Sequence, residues 1–371
     1  MVDLNRRGFI GALGLAAMVG GLGTPAAQAA PATAAAGGLA LCLMPSGGDD
    51  TVALQAAIDE AVKKKMRLEL GQGVFHISGT LKIDTCIDFS LTGMGAADPG
   101  DKSDGFVEKG RVLGTCLRWK GPAGGTMILL QSAMRPMLTG LYLDAAQTAA
   151  VCIQLHTVLG WPTSGVRLRD IAVAHATEVG IQFETPNLPH GDNTDLSDFE
   201  TVLLQKCRVG IRVCNDQSVG HYWRRIENAW CLKGIEFLQG GDVVIERGYQ
   251  DGSGPATTTF FVTHGGGENA AQVQISGVHL EYGVLFDSRN SFGDVVAGIR
   301  GIQDCRSDTD APPLCHFGHF TTATVMASQL KGALVAKPES KVAVIGCTYV
   351  TASVSHPVRK LVRGTKNVRV I

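Results

Sequence analysis

Three stretches of the chain lie over one another. Leu168-Arg169-Asp170-Ile171-Ala172-Val173 runs on to Gly180-Ile181-Gln182-Phe183, Phe199-Glu200-Thr201-Val202-Leu203-Leu204 to Gly210-Ile211-Arg212-Val213, and Trp223-Arg224-Arg225-Ile226-Glu227-Asn228 to Gly234-Ile235-Glu236-Phe237. The marker glycines stand 30 and then 24 residues apart, and the extra six fit an insertion around Pro186 to Asp195. Looser copies of the leading strand follow at Val243-Val244-Ile245-Glu246 and, 30 residues on, Val273-Gln274-Ile275-Ser276. A unit this short, with two or three brief strands, buries its inner face only by stacking on its neighbours. Propeller blades need roughly 40–50 residues and their own motifs, which this chain lacks. The repeat therefore predicts an all-β, single-stranded parallel β-helix.

Upstream, the pattern changes period. Leu54, Ala57, Ile58, Ala61 and Val62 make one apolar stripe of a helix of about three turns. Asp50 stands at its N-cap position and Lys63-Lys64-Lys65 complement its C-terminus. Strand-like segments follow at Arg67-Leu68-Glu69-Leu70, Val74-Phe75-His76-Ile77 and Leu81-Lys82-Ile83, separated by Gly71-Gln72-Gly73 and Gly79.

These residues carry a resemblance. Asp49-Asp50-Thr51-x-Ala53-Leu54-Gln55-Ala56-Ala57-Ile58-Asp59, then Gly73-Val74-Phe75-x-Ile77-Ser78-Gly79-Thr80-Leu81, resembles the N-terminal signature of the pectate-lyase superfamily of right-handed parallel β-helices. The family's usual Leu-Pro-x-Gly is here Leu70-Gly71-Gln72-Gly73. The resemblance implies a pectin-lyase-like right-handed solenoid whose helix caps the open end. It leaves chemistry open among lyases, hydrolases, epimerases and non-catalytic domains.

Composition supports an ordered solenoid of near-zero net charge. Glycine occupies 47 of 371 positions, about 13% against an average of roughly 7%, and the repeat accounts for much of the excess. With 33 basic and 34 acidic residues, the chain has no basic footprint for nucleic acid. Residues 1–29 read as an export signal: Arg6-Arg7-Gly8-Phe9-Ile10, an apolar Gly/Ala-rich run to Leu22, then Ala27-Gln28-Ala29 as an A-x-A site. This resembles a twin-arginine signal. It implies recognition by the twin-arginine export machinery, no membrane span after cleavage, and a periplasmic or secreted product. Residues 30–44 read as a flexible spacer and 45–371 as the β-helix domain.

Ten scattered cysteines do not form a stapled framework. Cys305 and Cys315 flank a Pro-containing loop that a disulfide would clip. Cys207 and Cys231, each three residues before a marker glycine, would stack on adjacent coils as a disulfide or as two free thiols. No zinc, dinucleotide or nucleotide-phosphate motif is present, so no cofactor and no metal site is expected. The acid-rich Asp192-Asn193-Thr194-Asp195-Leu196-Ser197-Asp198 offers oxygen ligands for Ca²⁺, but its spacing does not follow the D-x-[DN]-x-[DN]-G loop.

Chemistry on a solenoid needs outward side chains from neighbouring coils. Residues alternating with the apolar ones point out, which selects Arg225 and Glu227 around Ile226, and Glu246 after Ile245. Counting four to six residues past Ile245 and Ile275 stacks Tyr249 on His279 and Asp251 on Glu281. The catalytic candidates are therefore Asp251, Glu281, Glu227, Arg225 and His279, with Tyr249, Arg247, Glu246 and Tyr222 as substrate-binding candidates. Paired carboxylates suit glycoside hydrolysis. Arg, Tyr and His suit proton abstraction beside a neutralised uronate, as in a lyase or epimerase. The expected activity is cleavage or modification of a polysaccharide, lyase or hydrolase, in a groove along the solenoid. The alternative is a non-catalytic glycan-binding or structural β-helix. Trp223 sits where Phe199 does and is expected in the core.

Overall fold

Ile181, Ile211 and Ile235 stand side by side in parallel register, so the marker glycines do count successive coils. They belong to strands Val179–Phe183, Val209–Val213 and Lys233–Phe237 of an 11-stranded parallel sheet, the closing face of a right-handed solenoid. The computed structural model describes residues 40–96 and 114–251, apart from 159, 185–192 and 216. Beyond these it describes mainly strands between 258 and 370, with pairs at 33–34, 107–108 and 111–112. The export signal predicted over 1–29 lies outside the described residues. Among those described, no helix is long and apolar enough to cross a membrane.

The glycines are required by close approach. A Cβ on Gly210 would lie 2.5 Å from the Gly234 carbonyl oxygen, and one on Gly180 would lie 2.7 Å from that of Gly210. No side chain fits between coils at that column.

A second column shapes the rest of each coil. Strands Arg167–Ala174, Asp198–Gln205 and His221–Ala229 belong to a second large sheet, yet each bends midway at a left-handed residue. Those residues are Asp170 (φ 49°), Thr201 (57°) and Arg225 (54°), in register with Gly140, Arg247 and Gly277, which are also left-handed. The bend lets two consecutive side chains point outward: Trp223 and Ile226 face the core, while Arg224 and Arg225 both face solvent. Each coil therefore has a leading face before the corner, a trailing face after it, and the closing face.

The interior is apolar and layered. Phe199 and Trp223 stack at 5.2 Å, Phe237 follows on Phe261 at 5.3 Å, and Phe261 on Phe286 at 5.7 Å. Trp223 is core, as expected.

The helix, α1 (Thr51–Lys64), buries Leu54, Ala57, Ile58 and Ala61 on the open end. Its polar residues supply what a missing coil would. The Gln55 amide accepts from the Lys82 N–H (2.8 Å) and donates to the Lys82 carbonyl (2.9 Å), on the last strand of the closing face. Asp50 does not cap the helix through its side chain. It accepts instead from the backbone N–H of Ser46 and His76, and Thr51 Oγ1 accepts from the Ser78 N–H. The N-terminal signature is thus a set of edge-strand satisfiers.

One boundary expectation changes, and one open cysteine question is decided. Ala40–Leu43 is a strand paired in parallel with Arg67–Leu70, so the first coil begins inside the stretch read as a spacer. Cys207 and Cys231 are free thiols, the Cys207 N–H donating to Cys231 Sγ at 3.3 Å. Cys315 is free and buried, and its proposed partner Cys305 lies outside the described residues.

Candidate functional site

The trailing face changes character along the axis. One outward column reads Cys116, Tyr142, Ala172, Leu203, Glu227, Tyr249, His279. Its first four members are apolar or packed among apolar neighbours. From Glu227 onward the column is polar. The neighbouring column carries Asp251 and Glu281, whose backbone N–H groups continue the ladder to Asn228 and Gln250 carbonyls (3.1 and 3.0 Å). Parallel strands lie about 4.8 Å apart, so Asp251 and Glu281 are one coil apart and Glu227 and Glu281 two.

Tyr249 is the hub. Its register partner is His279, ring edge to ring face at 5.6 Å. Its hydroxyl donates to the Glu281 carboxylate. Burial, that hydrogen bond and the charges of Glu281, Asp251 and Glu227 together push the phenol well above its usual range. The phenol therefore stays protonated and acts as a donor rather than a base.

The nine candidates do not share one surface. Glu227, Tyr249, Asp251, His279 and Glu281 meet on the trailing face. Arg225 and Arg247 occupy the corner column. Tyr222 and Glu246 lie beyond it on the leading face, where the Tyr222 hydroxyl donates to Glu246 at 2.6 Å and Arg224 sits 5.2 Å over the Tyr222 ring. The hydrogen bond to Glu246 raises the Tyr222 phenol too. Arg225 approaches Glu200 at 3.6 Å, and Glu200 also meets Arg224 (3.3 Å) and Arg169 (4.0 Å). Three arginines around one half-exposed acid form a cross-coil ion-pair ladder.

Alternation within the repeats also marked a row that the sequence reading passed over. The residue between Ile and Phe or Val in each marker segment, Gln182, Arg212 or Glu236, points outward from the closing face. Glu236 accepts from Arg212 Nε (2.8 Å), His264 Nε2 (3.0 Å) and Lys233. These three partners hold its carboxyl well below the usual carboxylate range despite burial. At 2% exposure it is closed to solvent and committed to cations, an axial clasp between coils.

His221 illustrates the same caution. Ser197 Oγ lies 2.8 Å from His221 Nδ1, the spacing of a nucleophile and its base. Ser197 accepts from Trp223 Nε1 (2.8 Å), so its own proton goes to Nδ1; Nε2–H then donates to Ser218, which donates onward to the Thr194 carbonyl. The network is complete and sealed, and burial pushes the imidazole down to about 3. It also bears on the acid-rich stretch weighed above for Ca²⁺. Thr194 and Ser197 turn inward and Asp198 faces Arg224 at 3.7 Å, so their oxygens do not converge; Asp192 lies outside the described residues. Among the described residues no cluster of three His, Cys, Asp or Glu is arranged to hold a metal.

No protein-family model matches the chain, and no curated protein does. Sixteen solved chains match it in structure. The DFA-IIIase from Arthrobacter chlorophenolicus A6 is 12% identical, with a TM-score of 0.50 over 87% of this chain and 89% of that one. The pneumococcal surface protein and adhesin PfbA of Streptococcus pneumoniae is 9% identical (TM-score 0.48; 87% and 94%). The A-module of an Azotobacter vinelandii mannuronan C-5 epimerase is 14% identical (0.43; 87% and 81%). The chain spans only 66% and 59% of two further matched chains. At such identities the likeness shows the fold alone, one that carries both polysaccharide-acting enzymes and adhesins.

Proposed function

We propose that the protein is an exported polysaccharide-active solenoid that hydrolyses glycosidic bonds on its trailing face. The carrying observation is the placement of Asp251 and Glu281 on adjacent coils, with the Tyr249 hydroxyl bound to Glu281 and Glu227 one coil behind. Hydrolysis needs two carboxyl groups, one protonating the departing glycosidic oxygen and one activating water or attacking the sugar. Adjacent and next-adjacent coils supply separations of about 5 and 10 Å, which bracket the retaining and inverting geometries. β-Elimination needs a base for the C5 proton and a cation on the uronate. Tyr249, held protonated, is poorly suited to be that base, which leaves His279, its register partner, as the base an eliminating enzyme would use. Arg225, Arg247, Tyr222 and Glu246 serve in this reading as contacts for a chain crossing the corner.

The test is incubation with a panel of neutral and acidic polysaccharides, following reducing ends and the absorbance of unsaturated products together. New reducing ends without absorbance, lost in Glu281→Gln and Asp251→Asn, support hydrolysis. Absorbance selects elimination, and binding without either product selects a non-catalytic glycan-binding solenoid. Export through the twin-arginine route is part of the proposal; replacing Arg6-Arg7 by Lys-Lys should retain the protein in the cytoplasm.

A further inference from the structure

We infer that the glycan crosses the coils of the solenoid instead of following its axis, with Tyr222 as a sugar platform on the leading face; this rests on the hydrolytic reading above.

The direction follows from the carboxylates. The two carboxyl groups of a glycosidase flank the scissile bond, one on either side of the sugar chain. Asp251 and Glu281 sit on adjacent coils and are therefore separated along the axis. A chain passing between them runs across the strands, whereas a chain laid along the axis would lie lengthwise over both. The axial route is also closed at one end. Cys116, Tyr142, Ala172 and Ala174 point out of the trailing face yet are at most 1% exposed, packed with Ala96 and Leu203. That face reaches bare surface only at Glu227. Toward the other end, Arg306, Gln329 and Thr348 continue the column of Tyr249 and His279 by register, so an axial chain would depend on those coils alone.

Across the coils the surface is continuous. Glu227, Arg225 and Tyr222 follow one another over the corner of strand His221–Ala229, and all three are exposed. Tyr222 is held as a platform: its hydroxyl is tied to Glu246, Arg224 lies against one side of its ring, and 37% of its surface is open. An aromatic ring fixed in this way stacks on the C–H face of a sugar at little entropic cost, while the Arg225 guanidinium at the corner offers donors to sugar hydroxyls. Five residues of strand span about 16 Å, which places the platform roughly three sugar units from Glu227.

The test measures reducing-end release from oligomers of increasing length, prepared from the panel glycan that the protein hydrolyses, with the natural protein, Tyr222→Ala, Tyr222→Phe and Gln329→Ala. Tyr222→Ala should raise KM about two- to tenfold for oligomers long enough to reach the platform, with kcat and the shortest cleaved oligomers unaffected. Tyr222→Phe, which keeps the ring, should stay close to the natural protein, and Gln329→Ala should change no oligomer. A KM for long oligomers raised by Gln329→Ala, a Tyr222→Ala without effect at any length, or a Tyr222→Phe as impaired as Tyr222→Ala overturns the inference while leaving hydrolysis intact. Unsaturated products, or no processing of any glycan by the natural protein, remove the hydrolytic reading and the inference with it.

Discussion

Acid should begin to destabilise this protein through His221 before its carboxylates titrate. The imidazole is fully buried between Ser197 and Ser218, with both ring nitrogens committed in the neutral state. Its ionisation is pushed down to about 3, against about 6.5 in an unfolded chain. Above pH 6.5 it is neutral in both states and costs nothing. As pH falls below 6.5 the unfolded chain takes up a proton that the folded one refuses, so stability drops by about 1.4 kcal/mol per pH unit. The loss is about 2 kcal/mol at pH 5 and about 4 kcal/mol once pH reaches the folded value near 3. Glu236 acts in the same direction, but only as pH falls through and below the ordinary carboxylate range, so the interval from pH 8 to 5 isolates histidine. His76, also lowered chiefly by burial, contributes equally to any two proteins that differ only at position 221. The comparison is His221→Gln, whose amide can donate toward Ser218 and accept from Ser197 without titrating. Urea unfolding followed by tryptophan fluorescence between pH 8 and 5 should show the natural protein losing about 2 kcal/mol more than the variant. Parallel curves would refute the reasoning, whatever the variant's stability at pH 8.

Gln55→Ala removes two hydrogen bonds that close the edge strand; because water can reach Lys82, the cost should be about 1–2 kcal/mol in urea unfolding, with little change in any glycan cleavage. Gly210→Ala forces a Cβ to 2.5 Å from the Gly234 carbonyl and against Leu204, and should destabilise by roughly 1–3 kcal/mol or more, seen as a lower thermal midpoint. Asp251→Asn and Glu281→Gln should each lower kcat by about 10²–10⁴-fold with the fold unchanged by circular dichroism. Tyr249→Phe keeps the ring beside His279 but releases Glu281, and should lower kcat more than it changes KM.

The repeat was legible because its constraint is local and absolute. Where the next coil's carbonyl stands within 3 Å of a coil's Cβ position, only glycine fits, and the spacing of Gly180, Gly210 and Gly234 records the coil length directly. The helix was legible through its apolar stripe, but the purpose of its polar residues was not. Asp50 fits the N-cap pattern, yet it spends both oxygens on the backbone N–H groups of Ser46 and His76, tying the helix start to the first coils instead of capping the helix.

The candidate site was half legible for a related reason. Alternation tells inward from outward only within one straight strand, and the count from Ile245 and Ile275 correctly paired Tyr249 with His279. It carries no information about a corner. Arg225 and Arg247 have left-handed backbones without being glycine, so nothing in their identity announced the bend that puts Tyr222 and Glu246 on another face. The same column offers a route to finding such corners in related repeats. Trp223, Arg224, Arg225 and Ile226 place two outward residues between two inward ones, as do Phe199, Glu200, Thr201 and Val202, and Leu168, Arg169, Asp170 and Ile171. An in-out-out-in slip recurring at one coil position is what a corner looks like in sequence. Outward residues on opposite sides of it should be assigned to separate surfaces before any are combined into a site.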